Sequence, residues 1–182
     1  EYTIFGNLLP SQSQVVKDLF EENGKFIGYL TGYSIYNRLG LTTQVSNTIQ
    51  IGKNQVRPKF KREYYNIAFV KQKNTITKEN IPLLQILDSI RYIKKIPDTN
   101  IETLCKRFLA ILKNQSESET NTMVRLALKY SPATRALLGA LLEQLQQGKK
   151  TEALFKSLNP ITKYKLRGVT KVLSTTEKWN II

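Results

Sequence analysis

Residues 131–146 read Ser-Pro-Ala-Thr-Arg-Ala-Leu-Leu-Gly-Ala-Leu-Leu-Glu-Gln-Leu-Gln. A serine followed by proline is a helix cap with a first-turn proline. Behind it Ala136, Leu137, Leu138, Ala140, Leu141, Leu142 and Leu145 leave little polar surface, and Arg135 and Glu143 are the only charges. A helix that is apolar all round has to be enclosed by other elements. The segment therefore predicts a central helix, and Gly139-Ala140 allows a neighbour to come close. The rest of the chain has to be arranged around it.

Four further segments supply candidates for that enclosure. Thr77, Asn80 and Pro82 introduce a helix running through Lys94, with Leu83, Leu84, Ile86, Leu87, Ile90 and Ile93 apolar and Pro97-Asp98 breaking it. Residues 101–112 continue as an amphipathic helix, and Ser116 or Ser118 caps another reaching Tyr130. A short helix over 151–158 stops at Asn159-Pro160. The tail then runs through Tyr164, Leu166, Val169, Val172 and Leu173 to Trp179 and is expected to pack back on the body.

The first half reads differently. Residues 1–10 are an extended lead-in ending in Pro10, after which Ser11 or Ser13 caps a helix with Val15, Val16, Leu19 and Phe20 on one face. Residues 25–30 form a short buried strand. Thr31 opens a short helix with Tyr33, Tyr36 and Leu39 on one stripe and Gly40 ending it. A strand over 43–51 turns Val45, Ile49 and Ile51 inward, Gly52-Lys53-Asn54 makes a turn, and residues 55–62 return antiparallel as the second arm of a hairpin. Residues 64–71 add a strand with Tyr65, Ile67 and Phe69 on one face. The reading is an α+β fold: a small, mostly antiparallel sheet with a short helix in the N-terminal half (1–76), packed with an all-helical C-terminal half (77–182).

Charge narrows the function classes. Twenty-eight Lys and Arg face fourteen Asp and Glu, a formal net charge of +14, which makes a polyanion the first partner to consider. From Lys53 to Lys78 eight bases accompany one acid, Glu63, and Lys163, Lys165, Arg167 and Lys171 form a second cluster. Within the expected hairpin Arg57, Lys59 and Lys61 are spaced two apart, which projects them from one sheet face. With Arg62, Lys71 and Lys73 they are the candidate nucleic-acid-binding residues. Tyr29, Tyr33, Tyr36, Tyr64 and Tyr65 bring rings near that stripe, although half-buried packing is the commoner use of tyrosine in small sheets.

The chemistry-bearing residue types point away from catalysis. Histidine is absent and there is one cysteine, Cys105. The commonest general base, the Ser-His and Cys-His pairs, thiolate zinc sites and any internal disulfide go with them. Cys105 reads as a small buried hydrophobe. The glycines fit no phosphate-cradling loop, and no Asp or Glu is followed two residues later by Lys. Asp88 and Asp98 read as partners of Arg91 and Lys94 on a solvated helix face. The expectation is a non-enzyme without cofactor or metal. Without an apolar run of about 20 residues or a signal pattern, it is expected to be soluble and cytoplasmic.

Residues 28–44, Gly-Tyr-Leu-Thr-Gly-Tyr-Ser-Ile-Tyr-Asn-Arg-Leu-Gly-Leu-Thr-Thr-Gln, resemble the core of the AbiEi-type antitoxins of type IV toxin-antitoxin systems, with Tyr29, Thr31, Gly32, Asn37, Gly40, Leu41, Thr42 and Thr43 as the motif positions. Three more stretches look similar to the same family. They are Phe69-Val70-Lys71-Gln72-Lys73 with the segment 77–82, then 130–142, and 158–162 closing near Trp179. In that family a winged helix-turn-helix head binds the promoter, and the C-terminal domain opposes a nucleotidyltransferase-like toxin and can assist DNA binding. No helix-turn-helix precedes Phe5; if the chain is a fragment, promoter recognition has gone with the missing part and the antitoxin-type domain is what is expected here. The resemblance implies a bacterial regulatory domain whose partners are that toxin and nucleic acid. The alternative is a protein-interaction or dimerisation scaffold using residues 131–146, with the charge incidental.

Overall fold

The computed structural model describes residues 11–182 and, before them, the backbone of two short antiparallel strands, β1 (Tyr2–Thr3) and β2 (Gly6–Asn7). The rest of the expected lead-in to Pro10 lies outside the described residues. The fold is α+β, with the strands in the N-terminal half and the long helices C-terminal.

Ser11 caps α1 (Gln12–Val15) in a capping box with Gln14. The helix is shorter than its pattern suggests, because the backbone leaves helical geometry at Val16 and resumes only as a 3-10 turn over Lys17–Leu19. A small hairpin, β3 (Glu21–Glu22) with β4 (Lys25–Phe26), leads to β5 (Gly28–Thr31). Then follow α2 (Tyr33–Tyr36), β6 (Thr48–Lys53), β7 (Phe60–Arg62) and β8 (Tyr65–Lys71).

The sheet order is β5-β6-β8-β7, and β6 pairs with β8 in parallel. The expected hairpin between residues 43–51 and 55–62 therefore does not form. Two local features account for this. Pro58 has no N–H to give to a ladder. The Asn54 side chain donates to the carbonyls of Gln72 and Asn74 at 2.7 and 2.8 Å, which draws the chain across the end of β8. The chain returns on the far side as β7 and turns tightly through Glu63, at φ +53°, into β8. The strand also begins later than expected, at Thr48, so Val45 is 82% exposed while Ile49 and Ile51 are buried.

The sheet's two faces have different covers. Ile49, Ile51 and Ile67 meet Val16 and Leu19 of the first helical segment and make a small core. Tyr29 and Thr31, of the opposite parity, face α3 (Ile81–Arg91). From there a larger core continues through α4 (Ile101–Lys113), α5 (Glu117–Ala127) and α6 (Pro132–Gln144) to α7 (Glu152–Lys156) and the tail. Asn100, Ser116 and Ser131 cap α4, α5 and α6 through their side chains.

Helix α6 is central as expected: α3, α4 and α7 all pack on it. Gly139 makes room for the buried Trp179, whose indole N–H donates to Glu143 at 2.6 Å. Leu137, Leu138, Leu141 and Leu142 of α6 are enclosed.

Candidate nucleic-acid interface

The predicted basic stripe divides between the two faces of the sheet. Arg57 lies in the crossing loop, not in a strand, and its guanidinium sits over the rings of Phe60 and Phe69 at 4.6 and 5.3 Å. Arg62 is on that same face, bonded to Asp18 at 2.6 Å and to the Val15 carbonyl at 2.8 Å. This pairing holds the Asp18 carboxyl below its usual range. Lys59 and Lys61 instead line a shallow cavity on the opposite face with Tyr33, Gln50 and Asn66. Arg57 cannot share their face because the chain is still crossing β8 when it passes that residue.

The residues that carry the family resemblance hold structure together. Thr31 is not a cap: it lies buried in β5, and Gly32, at φ +56°, takes the cap position. The side chain of Gln50 accepts the Tyr33 N–H at 2.8 Å and does the capping from the neighbouring strand. Gly40, at φ +68°, follows the helix and Leu41 is buried. Asn37 donates to the carbonyls of Thr42 and Thr43, and the Thr42 hydroxyl donates to Pro97 at 2.7 Å.

A buried polar network joins the sheet to the helices. Asp88, expected on a solvated face, is 1% exposed. It accepts the hydroxyls of Tyr29 and Thr31 at 2.7 Å and of Tyr130 at 2.6 Å. Burial raises the Asp88 carboxyl above its usual range, opposed by these three donors and by the charge of Arg91. Gln72 donates to both tyrosine oxygens and Asn74 donates to Gln72. Gly52 is what lets the Tyr29 ring cross the sheet to Asp88, since a Cβ there would lie 2.3 Å from the ring. Asp98 accepts from Gln44 instead of pairing with Lys94.

This network also orients charge. Gln72 and Asn74 point inward, so Lys71 and Lys73, at the alternate positions of an extended segment, point to solvent. They enter a cavity also lined by Arg91, Lys129 and Arg135, with Ser131 and Pro132 at the start of α6. That helix terminus adds partial positive charge.

Arg91 and Ser131 are shared with a second cavity, bordered by Lys94, Lys95, Lys163 and Lys165. Lys94 and Lys165 are shared in turn with a third, which adds Arg167. The three adjoin through these shared residues and together make up a basic groove. Its tail-side cations arise in a similar way: residues 163–166 run extended, bridged at Tyr164 to Ile181, and Arg167 begins the turn that follows, so Leu166 turns inward while Lys163, Lys165 and Arg167 are exposed.

Ten Lys and Arg side chains line the three cavities and no Asp or Glu does. None of the ten is among the ion pairs of the described residues, whose cations are Arg62, Lys150, Lys156, Lys171 and Lys178. The field at the groove is consequently positive, with Arg91 alone also facing the charge of the buried Asp88. Among the described residues no three His, Cys, Asp or Glu gather where they could hold a metal ion.

Of the six residues nominated from sequence, only Lys71 and Lys73 lie in the groove. Arg91, Lys94, Lys95, Lys129 and Arg135 were missed, because they sit at helix ends far apart in the chain. Their one sequence signal is the cluster Arg91-Tyr92-Ile93-Lys94-Lys95 at the end of an apolar helix. No protein-family model matches the chain, and neither does any curated protein or solved structure.

Proposed function

We propose that this chain is a non-catalytic nucleic-acid-binding domain of an AbiEi-like antitoxin and transcriptional regulator, working in the cytoplasm. The observation that carries the binding reading is the groove of ten cations without a carboxylate. Phosphates displace counterions from such a surface, so affinity falls steeply with salt and depends little on sequence. The antitoxin part, including a nucleotidyltransferase-like toxin as partner, rests on the four segments that resemble that family. Its physical content is that a polyanion-holding groove positions the domain or blocks access to what it covers.

The test compares two sets of substitutions in a salt titration of duplex and single-stranded DNA binding. Lys94→Gln, Lys165→Gln and Arg167→Gln together should lower the slope of log affinity against log salt by about 0.7–0.9 for each phosphate left without its cation. Lys59→Gln with Lys61→Gln, on the sheet face, should leave it nearly unchanged. A larger drop from the sheet pair than from the groove set would refute the assignment.

A further inference from the structure

The groove is not uniformly polar. The outer cavity at Lys71 and Lys73 is rimmed by cations and polar groups, the one at Arg167 sets Lys94, Lys165 and Arg167 over Ile96 and Leu104, and the middle one combines a basic rim with an apolar floor. That floor consists of Ile90, Ile93, Leu137, Leu166 and Ile181, each between 1% and 6% exposed. The cavity holds about 520 Å³, a size typical of small-ligand pockets. Tyr164 forms part of its wall, and its buried hydroxyl has no hydrogen-bond partner among the described residues. Ala133, in the first turn of α6, is exposed at the margin.

Phosphate has no use for such a floor, because an anion over apolar side chains loses hydration without gaining a partner. A duplex keeps its bases stacked inside and offers this cavity only backbone. An unpaired nucleotide carries a flat, weakly polar ring that apolar groups accept. Its neighbours along the strand carry one phosphate each, and cations flank the cavity on both sides to receive them.

We propose that the middle cavity is a base pit and that the groove's ligand is single-stranded nucleic acid in preference to duplex. This rests on the nucleic-acid reading above and makes it specific. Phosphates lie along the cations that rim the cavities while one base leaves the stack and enters between Tyr164 and the floor residues. Strands of either sugar type satisfy this requirement; what the pit demands is a free base.

The experiment measures affinity by fluorescence anisotropy at one salt concentration for four polyanions: a single strand, a duplex, a single strand with abasic sugars, and inorganic polyphosphate. The intact chain and Ala133→Trp, which fills the pit from its exposed margin, are compared. The expected result is that the single strand binds at least about tenfold tighter than the abasic strand or the duplex. Ala133→Trp should remove that advantage and leave polyphosphate binding unchanged. The abasic comparison needs no variant, so a folding defect in Ala133→Trp leaves the proposal exposed to refutation. Equal binding of all strands overturns the base pit while the basic-groove reading stands. Absence of binding to every strand, with capture of an acidic leucine-containing peptide instead, overturns both.

Discussion

Replacing Asp88 by alanine should loosen the seam between sheet and helices more than any other single polar change. The carboxylate accepts three hydroxyls at 2.6–2.7 Å, from Tyr29, Thr31 and Tyr130. Losing it leaves the Thr31 hydroxyl without a partner and the Tyr29 and Tyr130 hydroxyls with the Gln72 amide alone, each lost bond at about 1–3 kcal/mol. Removing a buried, desolvated carboxyl returns part of that, since desolvation costs several kcal/mol per ion. The balance is a loss of about 3–5 kcal/mol, which lowers the melting temperature by roughly 2–4 °C per kcal/mol in a chain of this size.

The Asp88→Asn variant adds a test of sign. Burial raises the folded carboxyl's pKa, so its contribution to stability is fully present below the unfolded pKa and declines as pH rises through the folded one. Asparagine does not titrate. The stability gap between the natural chain and Asp88→Asn is therefore widest in acid and narrows as pH rises above about 4. Urea unfolding across pH, read by circular dichroism, measures it. An alanine cost under about 1 kcal/mol, or a gap that widens with pH, would refute the reasoning.

Gly139→Ala should also destabilise: its Cβ would lie 2.1 Å from the Trp179 ring, which Glu143 holds in place, so overpacking costs about 1–3 kcal/mol. Trp179 emission shifting red at lower urea would register it; unchanged stability would mean the indole can move aside. Cys105 is buried and its thiol is pushed up to about 11 by desolvation, so thiol reagents at neutral pH should label it only on unfolding. Labelling of the native protein at the rate of a free thiol would contradict that burial.

Much of the helical half was legible because its signals are local. Ser116, Ser131 and Pro132 mark helix starts by chemistry acting within one turn, and the apolar run of 131–146 has nowhere to go but inside. The sheet was harder. Its strands were recognisable, but their order depends on Pro58 and on the bonds of Asn54 to the carbonyls of Gln72 and Asn74, which no periodicity encodes. Asp88 misled because an Asp three residues before an Arg reads as a surface pair. Its true partners lie 59, 57 and 42 positions away.

The excess of positive charge, the lack of histidine and the enclosed α6 belong to the sequence alone, since each follows from residue type or short-range spacing. Where the charge gathers was decided only in three dimensions. The alternations at Lys71 and Lys73 and at Lys163 and Lys165 make cations point outward, yet they cannot say which other elements those cations face. Packing α3 against the start of α6 and folding the tail back beside them brings ten cations to one groove, while the crossing loop divides Arg57 and Arg62 from Lys59 and Lys61. Side-chain direction is a local property, but the neighbourhood of a side chain is a property of the whole fold.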